Sequence, residues 1–226
     1  MSIVLEARGL SRSLPGDPPV PLVRGVDFTI ETGSFTVVVG PSGCGKSSLL
    51  YLLGLLDRPT DGHLLFEGQE VSGLDGDARA ALRLARMGFV FQFHFLLPEF
   101  SALENVLLPI RRLAVLDGAA ALARAQQLLE AVGLGSEMHK TPDKMSGGQR
   151  QRVAVARALA NDPVVILGDE PTGNLDSGNS VRVIELLTRL AHEEGRAVVC
   201  VTHDNDIAAA ADRRIHMRDG VIEKID

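Results

Sequence analysis

Gly40-Pro41-Ser42-Gly43-Cys44-Gly45-Lys46-Ser47 sets glycines through a short turn and closes it with a lysine and a hydroxyl. Glycine turns let backbone N–H groups close on phosphate oxygens, while a lysine at this spacing reaches the β and γ oxygens and the next hydroxyl can ligate Mg2+. The chemistry expected is nucleotide binding, with Lys46 also acting in catalysis, Ser47 on the metal and Ser48 within the same phosphate shell. Farther along, the apolar run VVILG delivers Asp169 and Glu170 together. Adjacent carboxylates suit a division of labour, Asp169 holding Mg2+ through its water shell and Glu170 polarising the attacking water as general base.

A third run, Ser146-Gly147-Gly148-Gln149, opens a helical stretch, RQRVAVARAL. A helix start presents unpaired N–H groups and the positive end of the dipole to an anion, so this is a second phosphate cradle. The same serine also suits plain helix capping, and the two roles are compatible.

These residues need rigid elements to hold them. FTVVVG (35–40) reads as a strand buried on both faces, feeding the glycine turn and then a helix over KSSLLYLLGLL, the context in which the first pattern has meaning. HLLFEGQEV reads as a strand pair turning at Glu67 and Gly68, and LPGDPPVP (14–21) as a loop. From Asp75 to Ala160 the signal is mainly helical. DARAALRLARM comes first, then SALENVLLPI with a capping box at Ser101 and Glu104, then GAAALARAQQLLEAVG closed by Gly133. Strand character returns in VVILGDE and AVVCVT, separated by the helical SGNSVRVIELLTRLAHEEG. The chain therefore leaves an α/β core, makes a helical excursion and returns.

Composition agrees. With 226 residues, 45% hydrophobic and 23% charged, the chain suits one α/β domain with a sizeable core. A formal net charge of −6 argues against a nucleic-acid partner. Two cysteines, Cys44 and Cys200, make no disulfide framework, which fits a reducing compartment. Glu6 and Arg8 interrupt the first apolar run, and no apolar stretch is long enough to cross a bilayer, so a cytosolic chain is expected.

The ordered set of the glycine turn, Gln92 after the strand-like GFVF, SGGQ, ILGDEP and His203 after VVCVT resembles the ATPases of ABC transporters over nearly the whole chain. That resemblance implies a P-loop NTPase fold: a mainly parallel sheet, an antiparallel β subdomain and an inserted helical subdomain. The nucleotide-binding core would comprise residues 1–92 and 161–226, and the helical subdomain with the signature run residues 93–160. It implies ATP and Mg2+ as ligands and a homodimer in which Ser146, Gly147, Gly148 and Gln149 of one copy complete the phosphate shell of the other. Gln92 would contact Mg2+ or the water, and His203 would bond the γ-phosphate. Gly173-Asn174-Leu175-Asp176 matches the D-loop at the dimer seam, although Asp176 equally suits a helix N-cap.

FVFQFHFLLPEFSALENV and DEPTGNLD are similar to the lipoprotein-releasing (LolD-like) group and its macrolide-exporting and cell-division relatives. This implies integral membrane permease subunits as partners, a peripheral position on the cytoplasmic side of the inner membrane, and Phe93, Phe95, Leu96 and Leu97 as a partner-facing patch, some of them core instead. Alternatives are a macrolide or peptide exporter, a cell-division complex, or an ABC ATPase without a permease. Departures from the pattern are Leu14 where an aromatic stacks on adenine, Met145 for leucine, Ser48 for threonine, and Cys44 inside the cradle, where an accessible thiol would let alkylation block ATP.

Overall fold

The computed structural model describes residues 2–226. Its centre is a six-stranded sheet in the order β10-β9-β3-β8-β7-β6, formed by β3 (Phe35–Val39), β6 (Met87–Phe91), β7 (Val165–Asp169), β8 (Ala197–Val201), β9 (Arg213–Arg218) and β10 (Val221–Ile225). All pairs are parallel except β9–β10. The continuous apolar runs of the inner strands follow from burial on both faces. Alternate residues divide between two cores: Phe35, Val37, Ile166, Val198 and Cys200 join one, and Val38, Val165, Leu167, Val199 and Val201 the other.

The second core is covered by α1 (Lys46–Leu53) and by a four-stranded antiparallel sheet, β2-β1-β4-β5. The turn between β4 (Asp61–Phe66) and β5 (Gln69–Glu70) falls at Glu67 and Gly68, as expected, both with positive φ. The other two strands were not anticipated. β1 (Ile3–Leu14) and β2 (Val20–Glu31) form a long hairpin, so the expected loop at 14–21 shrinks to the tip between Leu14 and Val20. Bulges displace the β1–β2 register at several points, and each bulge breaks the strict alternation that marks a strand in sequence.

The first core lies under the helices α3 (Ala102–Leu113), α4 (Gly118–Ala131), α5 (Gly147–Ala158) and α6 (Ser177–His192). α2 (Gly76–Arg86) leads into β6, and the short α7 (Asn205–Ala210) leads into β9. The Ser101–Glu104 capping box is formed, and Gly133, at φ 71, follows the C-cap of α4. The core under α3, α4 and α5 is continuous with the sheet face carrying Val90 and Ile166.

Asn105 anchors the segment between β6 and α3. Its side chain is 1% exposed; Oδ1 accepts from the Leu97 amide at 2.8 Å, and Nδ2 donates to the carbonyls of Leu97, Phe100 and Ser101. Asn105→Ala leaves the part-buried Leu97 amide and the Phe100 carbonyl without partners, an expected loss of about 2 kcal/mol. For a chain of this size that lowers the thermal midpoint by roughly 4 to 8 °C. An unshifted melting curve would show that this network contributes nothing.

Candidate functional site

The site lies where the parallel strands end, since their C-terminal edges open onto the loops that follow β3, β6, β7 and β8. After β3 the chain turns through Gly40 to Gly45 into α1. A Cβ on Gly40 would stand 2.0 Å from the Met217 carbonyl oxygen, and one on Gly45, at φ +102, would stand 2.1 Å from that of Leu22. Only glycine allows the turn to lie this close to β2 and β9. Lys46 is 9% exposed, and its ammonium donates to the carbonyls of Gly40 and Pro41 at 2.9 and 3.0 Å, folding across the cradle. Cys44 is buried, 4% exposed, against Gly40. Its thiol points into the protein, so the route to inactivation by alkylation is closed in this conformation. Burial pushes the Cys200 thiol up.

Packing of α1 on β7 joins the cradle to the carboxylate pair. Ser47 Oγ donates to Asp169 Oδ1 at 2.9 Å, and the phenol of Tyr51 donates to Asp169 Oδ2 at 2.8 Å. Burial, with the neighbouring carboxylate bond and charge adding to it, pushes the Tyr51 phenol up to about 12, so it remains a donor near neutral pH. Tyr51 was not among the expected site residues; within YLLGLL it reads as one more position of an apolar helix.

Glu170 adopts φ 47, a left-handed conformation that costs energy for a residue with a side chain and is found disproportionately at active sites. Its Oε2 accepts from Thr202 Oγ1 at 2.9 Å, and its Oε1 lies 2.9 Å from His203 Nδ1. The Glu170 side chain is 18% exposed and that of His203 75% exposed, so the pair faces outward beside the cradle. Such a carboxylate can take a proton from a water, and the exposed imidazole can turn to an anion.

Gln92 bonds to Asn174. The chain leaves β6 at Phe91, which pairs with Asp169, and the next residue turns toward the D-loop: Gln92 Nε2 meets Asn174 Oδ1 at 3.5 Å, and Asn174 Nδ2 donates to the Gln92 carbonyl at 3.2 Å. No side-chain hydrogen bond joins Gln92 to Ser47 or Asp169 among the described residues. Asp176 caps α6, accepting from the Asn179 amide at 2.9 Å and from Asn179 Nδ2 at 2.7 Å.

The Ser146–Gln149 run lies beside the loop after β7: a Cβ on Gly148 would stand 2.2 Å from Asn179 Oδ1, and one on Gly147 3.8 Å from the Asn174 carbonyl oxygen. Ser146 and Gln149 form a reciprocal capping box at the start of α5. The amide of Gly147 has no acceptor among the described residues and remains available to an anion, whereas Gly148 is buried against the Asn179 side chain. No hydrogen bond connects residues 146–149 to the cradle or to Asp169 and Glu170 among the described residues. α5 is nevertheless tied to the catalytic loops of its own chain. Gln151, 1% exposed, donates to the Pro171 carbonyl at 2.7 Å, and Arg157 donates to the carbonyls of His94 and Phe95.

Residues 23–173 match the family model described as ABC transporter. The chain belongs to the ABC transporter family. As an ABC ATPase it is 48% identical over 223 residues to the lipoprotein-releasing system ATP-binding protein LolD 2 of Caulobacter vibrioides, covering 97% of this chain and 96% of that protein. It is 52% identical over 210 residues to the macrolide export ATP-binding/permease protein MacB of Hyphomonas neptunium, covering 92% of this chain but 32% of that longer protein. The ABC cassette fold is equally clear. The dimeric structure of MJ0796, a bacterial ABC transporter cassette, superposes with a TM-score of 0.91 at 37% identity, covering 98% of this chain and 97% of that one. A post-hydrolysis structure of the same cassette, bound to ADP and Pi, superposes equally well, with a TM-score of 0.91.

Proposed function

We propose that this ABC ATPase is the ATP-hydrolysing subunit of a transporter that releases lipoproteins from the inner membrane, working as a pair of copies at the membrane's cytoplasmic face. The observation that carries the pairing is that the Ser146–Gly148 helix start, with the Gly147 amide free, makes no hydrogen bond to its own cradle among the described residues. A second copy facing the first brings that start onto the γ-phosphate gripped by Lys46, so each ATP lies in a joint between chains. Loss of the γ-phosphate removes the group both chains hold, and the joint opens.

Within each joint Gly40 to Gly45 wrap the phosphates with backbone amides, and the Lys46 ammonium exchanges its two carbonyl partners for phosphate oxygens. Ser47 and Asp169 offer a hydroxyl and one carboxylate 2.9 Å apart. That sparse donor set suits Mg2+, which keeps several waters and takes its remaining ligands from phosphate, and no cage of three His, Cys, Asp or Glu is present among the described residues. Ser47 and Asp169 would hold Mg2+, which would supply neutralisation of the charge on the phosphate oxygens. Glu170 accepts the proton of the attacking water, Thr202 holds its second oxygen, and His203 leaves Glu170 to donate toward the γ-phosphate. Gln92, held by Asn174, stands at the D-loop beside the seam, where movement of either chain reaches it.

The coupling surface is apolar. Phe93 and Phe95 are 69% and 63% exposed, while Leu96 packs on the core. Phe95 meets Phe91 edge-on at 5.4 Å, Phe91 stacks on Phe89 at 5.8 Å, and this ladder runs into a groove of about 630 Å3 lined by Leu56, Leu84, Leu108 and Pro109. An exposed apolar patch leading into a groove marks a protein contact. No helix of the described residues is long and apolar enough to cross a membrane, so attachment comes through a permease seated here. Lipoprotein release is favoured over macrolide export by the run QFHFLLPEFSALENV (92–106), which resembles the lipoprotein-releasing group.

Purification from detergent-solubilised membranes tests this reading. The parent protein captures an integral membrane protein, and Phe95→Asp, which buries a charge in the contact, cuts the yield by about tenfold or more. Absence of any membrane partner with ATP present would favour an ABC ATPase that works without a permease.

A further inference from the structure

Asp169 is held between two hydroxyls of one helix. Ser47 Oγ donates to Oδ1 at 2.9 Å and the Tyr51 phenol donates to Oδ2 at 2.8 Å, and among the described residues no other side chain bonds to this carboxylate. The two bonds engage both oxygens, so the plane of the carboxylate and the face it turns to Ser47 are set together. With the phenol gone, the Ser47 bond alone leaves Asp169 free to rotate, and either oxygen can turn away from the cradle. The Tyr51 ring packs against the core between α1 and the sheet, which keeps the hydroxyl in place at little entropic cost.

We infer that Tyr51 is a positioning residue for metal-dependent nucleotide binding, locking the Asp169 carboxylate so that Oδ1 faces the Ser47 hydroxyl. The inference rests on the reading of Ser47 and Asp169 as the Mg2+ pair. Groups that orient a metal-holding residue through a hydrogen bond change metal affinity on the order of 10- to 100-fold when removed. Tyr51 acts at the lower end of that range, since Asp169 would hold the ion through its water shell. ATP without metal is held by the glycine turn and Lys46 alone, and Tyr51 touches neither, so metal-free affinity does not depend on it.

The sequence supplies an unusual probe, because Tyr51 is the only tyrosine and there is no tryptophan. Intrinsic emission therefore reports on the Asp169 contact alone. In the parent protein, adding Mg2+ to the ATP-loaded state changes the tyrosine emission, whereas ATP added with a chelator leaves it near its starting level. Tyr51→Phe keeps the ring and removes only the hydroxyl. Titrated with Mg2+ at fixed ATP and followed by calorimetry, that variant requires about tenfold more Mg2+ for half-saturation, while its metal-free ATP affinity stays within about twofold of the parent. Equal Mg2+ midpoints in the two proteins, or parent emission blind to Mg2+ while the calorimetric dependence persists, would overturn the role of Tyr51. A parent whose ATP affinity ignores Mg2+ altogether would instead sink the Ser47–Asp169 reading, and the role of Tyr51 with it. A purely packing role predicts no change in Tyr51→Phe beyond a small shift in melting temperature.

Discussion

Glu170→Gln lowers the ATP hydrolysis rate by about 10²- to 10⁴-fold, the usual worth of a general base, while ATP binding survives. The amide is nearly isosteric with the carboxylate. It still accepts from Thr202 Oγ1, still lies beside His203, and leaves the left-handed backbone at φ 47 untouched, so the fold has no reason to change. What it cannot do is take a proton from water. Both copies then close on ATP and stay closed, because the γ-phosphate that joins them is not removed. Sedimentation with ATP gives a dimer, and without nucleotide a monomer. Turnover within a few-fold of the parent would remove Glu170 from the reaction. A variant that remains monomeric at full ATP occupancy, with its membrane partner present, would instead refute the shared joint.

Lys46→Ala acts on binding. The ammonium is nearly buried and held by two backbone carbonyls; when phosphate enters, it exchanges those neutral partners for charged ones. Truncating one member of a buried charge pair costs about 2 to 4 kcal/mol, which raises the ATP dissociation constant roughly 30- to 1000-fold. The glycine turn itself should persist, because its shape follows from the close approach of Gly40 and Gly45 to the Met217 and Leu22 carbonyls, not from the lysine. Calorimetry with Mg2+ and ATP measures the change; an affinity equal to the parent's would count against the cradle. The two variants separate the stages cleanly, one stopping before nucleotide is held and the other after.

Much of the machinery could be read without coordinates because its information is local. The glycine turn is a contiguous string whose spacing alone dictates a phosphate cradle between a strand and a helix. The same holds for the Ser146–Gln149 box and the Asp176 cap, where the residue that bonds lies within one helical turn of the residue it bonds to. The continuous apolar runs of β3, β7 and β8 also announce burial on both faces.

The β1–β2 hairpin was illegible, because bulges interrupt the alternation that identifies a strand, and its two halves stabilise each other only once paired. Tyr51 escaped notice for a related reason. A tyrosine in YLLGLL carries no local sign of function, and its meaning depends on a carboxylate 118 positions away that reaches it only when α1 packs on β7. The partnership of Gln92 with Asn174, and of Glu170 with His203, is equally a matter of which loops the parallel strands bring to one edge. The amino-acid order by itself determined which groups exist to bind phosphate, metal and water. The tertiary structure decided which of them meet within one chain, and it left the Ser146 helix start without a hydrogen bond to its own cradle, because the first core fixes α5 against β6 rather than over α1.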